Sequence, residues 1–315
     1  MGKTAFVFPG QGSQSVGMGG DIIKAYPEAR EMVEKADQRL GFSLSDLILN
    51  GPEEKLQLTE NTQPALLAIS AVFFRLLSKK GIKADFFAGH SLGEYSALYA
   101  AGVLKFEDAV FAVRKRGLLM EAAVPAGQGT MAAVLGVDPN PLKDICEKVT
   151  ATGASVQLAN LNCPGQIVIS GTVKGVADAS KLAEEAGARR VVPLAVSGPF
   201  HSSLMKPAAE QLKNVLDNLP VQNAEVPVIA NSTAEVEETA GEIRSHLIEQ
   251  LYSPVRWVES IETLGQLGVD TYVEVGPGRV LSGLIKKIQR GATIVQVNNL
   301  ETLNTVAEKL KERAV

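Results

Sequence analysis

The sequence predicts an α/β protein with a mostly parallel sheet, interrupted by a small βαββαβ unit. Three observations carry this. Short apolar runs of strand length alternate with helical patterns, the order that builds a parallel sheet covered on both faces. Residues 128–197 instead run strand, helix, strand, strand, helix, strand, the split-βαβ or ferredoxin-like pattern. The 315 residues, 45% hydrophobic and 21% charged, suffice for two domains or for one domain carrying an insertion.

Residues 4–8 read as a buried strand, ended by Pro9-Gly10 and followed by the loop PGQGSQSVGMGG. Helical patterns fill 21–40 and 64–79, with Pro64 near the first turn of the second, where proline is tolerated. The apolar run Phe86-Phe87-Ala88 leads into Gly89-His90-Ser91-Leu92-Gly93 and a helix over 94–101. The next helix, 106–123, stops at Pro125-Ala126-Gly127. In the insertion, strands fall at 131–137, 156–161, 166–170 and 190–196, and helices at 141–150 and 173–186, the latter stopped by Gly187. Beyond it come helices at 203–218 and 241–251, a strand at 226–231, and a strand at 271–275 that enters Gly276-Pro277-Gly278. A helix to Lys287, a short strand at 294–297 and an amphipathic helix at 300–313 close the chain. The expected division is a discontinuous large α/β domain, 1–127 and 198–315, with a small subdomain at 128–197.

Several function classes are excluded. The net charge of −4 argues against a nucleic-acid binder, so an acidic partner must meet a local basic patch. The two cysteines, Cys146 and Cys163, form no C-x-x-C pair, so neither a metal site nor a redox motif is expected. They suit a reducing, cytoplasmic location. The apolar run at 5–8 is too short for a signal peptide. Phe6 occupies the position where myristoylation requires Ser or Thr, and no apolar stretch is long enough to span a membrane. A monomer is expected, because no coiled coil or long exposed stripe demands an oligomer.

The chemistry centres on Ser91. G-x-S-x-G between a strand and a helix is the context of a nucleophile elbow, with small neighbours where the turn is tight. The helix that begins there aims free N–H groups at whatever bonds to Ser91. The loop after the first strand is not a nucleotide site: G-x-G-x-x-G from Gly10 fails at Ser15, and the loop holds no P-loop lysine. Beside a nucleophile, such a loop can donate to an oxyanion. A serine nucleophile needs a base, and there are three histidines. His90 belongs to the elbow and turns away from Ser91, and His246 lies beside a helical apolar stripe. His201, in Ser197-Gly198-Pro199-Phe200-His201-Ser202 at the junction of the two domains, is the favoured base. No acidic triad member is evident, so a backbone carbonyl is left to orient it. Arg116 shares a helix face with Ala109, Val113 and Met120. It is either a carboxylate clamp, a partner of an internal acid, or a snorkelling side chain.

Separated motifs in a fixed order join these residues: FVFPGQGSQ at 6–14, TQPAL at 62–66, GHSLGEYSAL at 89–98 and RG at 116–117. NCPGQIVISG at 162–171, FHSSLM at 200–205, SPVRW at 253–257 and EVGPG at 274–278 continue the series. Together they resemble the malonyl-CoA:acyl carrier protein transacylase family over nearly the whole chain. The resemblance implies a hydrolase-like α/β core with a ferredoxin-like insertion and a ping-pong acyl transfer without a cofactor. Ser91 would attack the thioester of malonyl-CoA, and His201 would take its proton and return it to the leaving thiolate. The backbone N–H groups of Gln11 and Leu92 would bind the oxyanion. Arg116 would clamp the free carboxylate, and the carbonyl of Gln250 would hold His201. Gln63 and Phe200 would contribute to the pocket, with Phe200 crowding a methyl group on the substrate's α-carbon. Arg189 and Arg190 would dock an acidic acyl carrier protein. Two readings compete, a serine thioesterase or other hydrolase and a non-catalytic carrier-protein scaffold. The first lacks the acid and the late histidine of the hydrolase order. The second leaves Ser91, His201 and Arg116 without a purpose.

Overall fold

The computed structural model describes residues 2–125 and 127–313, with side chains described as far as Leu310. Ala126, in the break expected after the 106–123 helix, and Met1, Ala314 and Val315, at the outer ends of the expected large domain, lie outside the described residues.

Among the described residues, ten strands form two sheets. They are β1 (Lys3–Phe8), β2 (Phe86–Gly89), β3 (Gly129–Leu135), β4 (Val156–Cys163), β5 (Gln166–Thr172), β6 (Arg190–Pro193), β7 (Val228–Ile229), β8 (Val236–Glu237), β9 (Val269–Val275) and β10 (Thr293–Val297). The large sheet has the order β10-β9-β1-β2-β7-β8 and is parallel except for the β7–β8 pair. The small sheet, β4-β5-β3-β6, is antiparallel throughout. The architecture is therefore mixed α/β, with a mostly parallel sheet and a separate antiparallel one.

Register positions the site. Phe8 lies opposite Gly89, and Val7 opposite Glu274. The loops that leave β1, β2 and β9 therefore emerge along one edge of the sheet, and β7, parallel to β2, delivers Asn231 to the same edge. Open α/β sheets bind ligands at such carboxyl ends. Phe6, Phe8, Phe73 and Leu66 pack on one face of the large sheet. Trp257, Ile261 and Tyr272 pack on the other. A third cluster, with Leu142, Cys146 and Ile169, fills the space between the small sheet and its two helices.

Several elements differ from the sequence expectation, each for a local reason. The helix expected over 21–40 is two helices, Gly20–Ala25 and Pro27–Leu40. Tyr26 between them is extended, the conformation favoured for a residue before proline. The helix expected from Pro64 starts at Thr59. Pro64 has no N–H to give the carbonyl of Glu60, and Arg114 Nη1 donates to that carbonyl instead, at 2.6 Å. The expected strand at 226–231 shrinks to two residues and turns back through β8. The strand expected to reach 196 ends at Pro193, which frees 194–196 to leave the sheet. Helices Leu44–Asn50, Glu53–Leu56 and Trp257–Gln266 had no expectation.

Candidate active site

The elbow is built on contacts that leave no room for side chains. A Cβ on Gly89 would stand 1.9 Å from the backbone of Gly93, and one on Gly93 would stand 2.1 Å from the carbonyl oxygen of Phe8. Ser91 follows β2 with φ 52° and ψ −107°, a conformation that costs a non-glycine residue on the order of 1–3 kcal/mol. Long-range hydrogen bonds hold it there. The N–H of Ser91 donates to Asn231 Oδ1 at 2.7 Å, and Asn231 Nδ2 donates to the carbonyl of Gly89 at 2.7 Å. The carbonyl of Ser91 accepts from Gln250 Nε2 at 2.9 Å.

His201 reaches Ser91 from the loop after β6. Its backbone also has a positive φ, 57°, and Ser202 Oγ braces the turn by donating to the Pro199 carbonyl at 2.6 Å. The imidazole Nε2 lies 2.7 Å from Ser91 Oγ, and Nδ1 lies 2.8 Å from the carbonyl oxygen of Gln250. A carbonyl only accepts, so Nδ1 carries the proton and Nε2 is the free base facing the hydroxyl. Burial, reinforced by the nearby charge of Arg116, pushes the His201 pKa down to about 3. The imidazole is therefore neutral over the physiological range.

Arg116 is 1% exposed. Its Nη1 donates to Gln63 Oε1 at 2.9 Å, and its Nη2 donates to Gln250 Oε1 at 2.8 Å and to Ser91 Oγ at 3.1 Å. The guanidinium lies 5.7 Å from the centroid of the Tyr95 ring. Among the described residues no carboxylate bonds Arg116 directly. Glu94, fully buried, is joined to it only through Gln250, whose Nε2 donates to Glu94 Oε2 at 2.9 Å. Burial lowers the Arg116 pKa, opposed by Tyr95 and Glu94, yet a guanidinium stays charged. A buried cation bonded only to neutral groups, at the wall of a cavity, favours an anionic ligand.

That cavity, about 390 Å³, lies between the two sheets. Gln11, Ser91, Leu92, Arg116 and His201 are among the residues that line it, together with Met131, Asn160, Leu194, Val196 and Phe200. The backbone N–H groups of Gln11 and Leu92 have no hydrogen-bond acceptor among the described residues, so both remain available to a ligand oxygen. Gln63 departs from the expectation of a pocket residue: it is buried behind Arg116 and does not line the cavity. Arg189 and Arg190 stand exposed where β6 begins, outside the cavity. His90 Nε2 is bonded to Asn162 Oδ1 at 2.8 Å, and its ring meets Trp257 edge-on. His246 Nδ1 is bonded to the buried carboxylate of Glu237 at 2.8 Å.

Sequence reasoning missed Asn231, Glu94 and the side chain of Gln250. Only Glu94 carried a signal, as a charged residue among apolar neighbours on the elbow helix. The geometry brings together a hydroxyl, a neutral imidazole, two free backbone N–H groups and a buried cation, groups of the kind that acyl transfer can use.

The acyl transferase domain family model matches residues 5–308. The chain is 56% identical over 312 residues to the malonyl CoA-acyl carrier protein transacylase of Bacillus subtilis, covering 99% of this chain and 98% of that one. It is 47% identical over 312 residues to the protein of the same name from Haemophilus influenzae, covering 98% and 100%. Among solved structures, it is similar to a malonyl-transacylase in complex with a type II PKS acyl-carrier protein, with a TM-score of 0.95, 44% identity and coverage of 98% and 99%. It is also similar to the malonyl CoA-acyl carrier protein transacylase of Coxiella burnetii, with a TM-score of 0.95, 42% identity and coverage of 98% of each chain.

Proposed function

The chain belongs to the acyl transferase domain family, and on that premise we propose that it moves the malonyl group of malonyl-CoA to the phosphopantetheine thiol of an acyl carrier protein, as in fatty acid biosynthesis. The observation that carries this reading is the convergence on Ser91 Oγ of a neutral imidazole at 2.7 Å and a buried guanidinium at 3.1 Å.

Ser91 Oγ attacks the thioester carbonyl while His201 Nε2 takes its proton. The negative charge moves to the carbonyl oxygen, where the N–H groups of Gln11 and Leu92 receive it, each such donor being worth a factor of about 10²–10³ in rate. The C–S bond then breaks, and the imidazolium returns the proton to the departing CoA thiolate. Throughout, the Gln250 carbonyl fixes the imidazole tautomer, and the Arg116 fork holds the distal carboxylate. The second half-reaction runs the same steps backward, with the carrier thiol as nucleophile on malonyl-Ser91. The thioester is itself the activated acyl group, and no cofactor enters the scheme.

The finer points form part of the proposal. Residues 128–197 act as a subdomain that closes one side of the cavity, set in a catalytic domain of 1–127 and 198–315. Phe200 crowds a branched α-carbon. Arg189 and Arg190 meet an acidic carrier protein, an assignment supported by their exposure at the start of the strand that leads to cavity-lining Leu194. The protein works as a monomer in the cytoplasm, a location that suits two free, buried cysteines.

The test is mass spectrometry after mixing with malonyl-CoA, followed by addition of carrier protein or water. One malonyl group on Ser91, passed to the carrier thiol faster than to water, is expected. No adduct, or faster hydrolysis, rejects the reading.

A further inference from the structure

Strand β4 belongs to the small sheet and supplies neither a nucleophile nor a base, yet it is bonded to the segments that carry both. Gln157 Nε2 lies 3.4 Å from the carbonyl of His201 and 3.3 Å from that of Tyr252, and its Oε1 accepts from the N–H of Ser203 at 2.9 Å. One amide thus grips the backbone immediately after His201 and ties it to the Tyr252 carbonyl. Farther along the strand, Asn162 Oδ1 accepts from Nε2 of His90, the neighbour of Ser91, at 2.8 Å. Between the two grips the strand is pinned to the large domain, because Leu161 N donates to the Val255 carbonyl at 2.9 Å and Val255 N donates to the Ala159 carbonyl at 2.8 Å.

We propose that β4 is the spacer that sets the separation of Ser91 and His201, with Gln157 and Asn162 as positioning residues at its two ends. The catalytic pair sits on two loops, each with a positive φ at the reacting residue. Neither loop fixes the position of the other, whereas β4, although its register with β5 shifts at Leu158/Asn160 and at Leu161/Cys163, is fixed between its two grips by the paired hydrogen bonds to Val255. The inference rests on the acyl transfer assigned above to Ser91 and His201.

The test measures single-turnover acylation of Ser91 by malonyl-CoA in Gln157→Met, Gln157→Glu, Asn162→Ala and the Gln157→Met/Asn162→Ala double variant, with thermal unfolding recorded for each. A displacement on the ångström scale costs up to about a hundredfold, so each single variant should acylate at least about tenfold more slowly at saturation, with the half-saturating malonyl-CoA concentration unchanged. Gln157→Glu keeps the acceptor for Ser203 but loses both donors, and should be as slow as Gln157→Met. A spacer released at either end no longer spaces, so the double variant should be no slower than the slower single variant. Reaction of Ser91 with phenylmethylsulfonyl fluoride, which needs no carboxylate clamp, should slow in the same proportion. Losses that multiply in the double variant, wild-type rates in Gln157→Glu, or lowered melting temperature with unchanged rates would overturn the proposal. A wild-type enzyme that forms no malonyl-Ser91 would instead overturn the functional reading on which it rests.

Discussion

His201 Nε2 stands 2.7 Å from Ser91 Oγ across 110 positions of sequence, and the same ring is held from behind by the Gln250 carbonyl at 2.8 Å. The second contact sets the tautomer, leaving Nε2 as the acceptor that faces the hydroxyl. The chemistry of the pair can be tested one group at a time.

Replacing His201 with Ala should slow acylation of Ser91 by a factor of about 10²–10⁴, the usual contribution of a positioned general base. Stopped-flow release of CoA measures it, and a loss below tenfold would assign the base elsewhere.

The acid response of stability should carry the signature of His201. Its native pKa, about 3, lies below its ordinary 6.5, so between these values the unfolded chain holds a proton that the native protein does not. Stability is therefore full above pH 6.5 and falls as pH drops toward 3, with a slope of up to about 1.4 kcal/mol per pH unit from this one group. Urea unfolding from pH 7 to pH 4 should be less steeply pH-dependent in His201→Gln, and parallel curves would contradict this.

Arg116→Ala should lose malonyl transfer by about 2–5 kcal/mol in kcat/KM, the range for removing one partner of a buried charge pair. Acetyl transfer should suffer less, because acetyl offers no carboxylate to lose. Competition between malonyl-CoA and acetyl-CoA reads the ratio, and a variant that still prefers malonyl removes Arg116 from substrate recognition.

Asn231→Ala leaves the Ser91 N–H and the Gly89 carbonyl without their side-chain partners. Each unsatisfied buried group costs about 1–3 kcal/mol, so a loss of at least about 2 kcal/mol of stability is expected by chemical denaturation. A change within 0.5 kcal/mol, roughly the effect of an ordinary surface substitution, would show that the elbow keeps its shape without this residue.

Arg190→Glu should raise the KM for carrier protein while leaving transfer to free pantetheine unchanged. Equal effects on the two acceptors would move docking to another surface.

What could be read from the sequence was what short-range pattern records. Ser91 announces itself by the glycines on either side, and Arg116 by its helical phase with Ala109, Val113 and Met120, all buried. His201 was reached by elimination and by its place at the expected junction of two domains. Asn231 and the Gln250 side chain left no such trace, because they bond to the elbow from 140 and 159 positions away and a hydrogen bond across that span imposes no periodicity. The fold shows the same division. Alternation of strands and helices marked the two sheets, whereas the two-residue strands β7 and β8 are too short for any pattern, and the start at Thr59 was hidden by a proline whose missing bond is made good by Arg114.

The central strand β1 pairs with β2 on one side and with β9 on the other. During synthesis the first partner emerges early, but the second waits until residues 269–275 have left the ribosome. For most of translation β1 therefore presents an unpaired ladder edge, the kind of surface that recruits stray chains. Nascent chains halted before β9 should be the ones that depend on chaperones, whichever acyl group the finished enzyme carries.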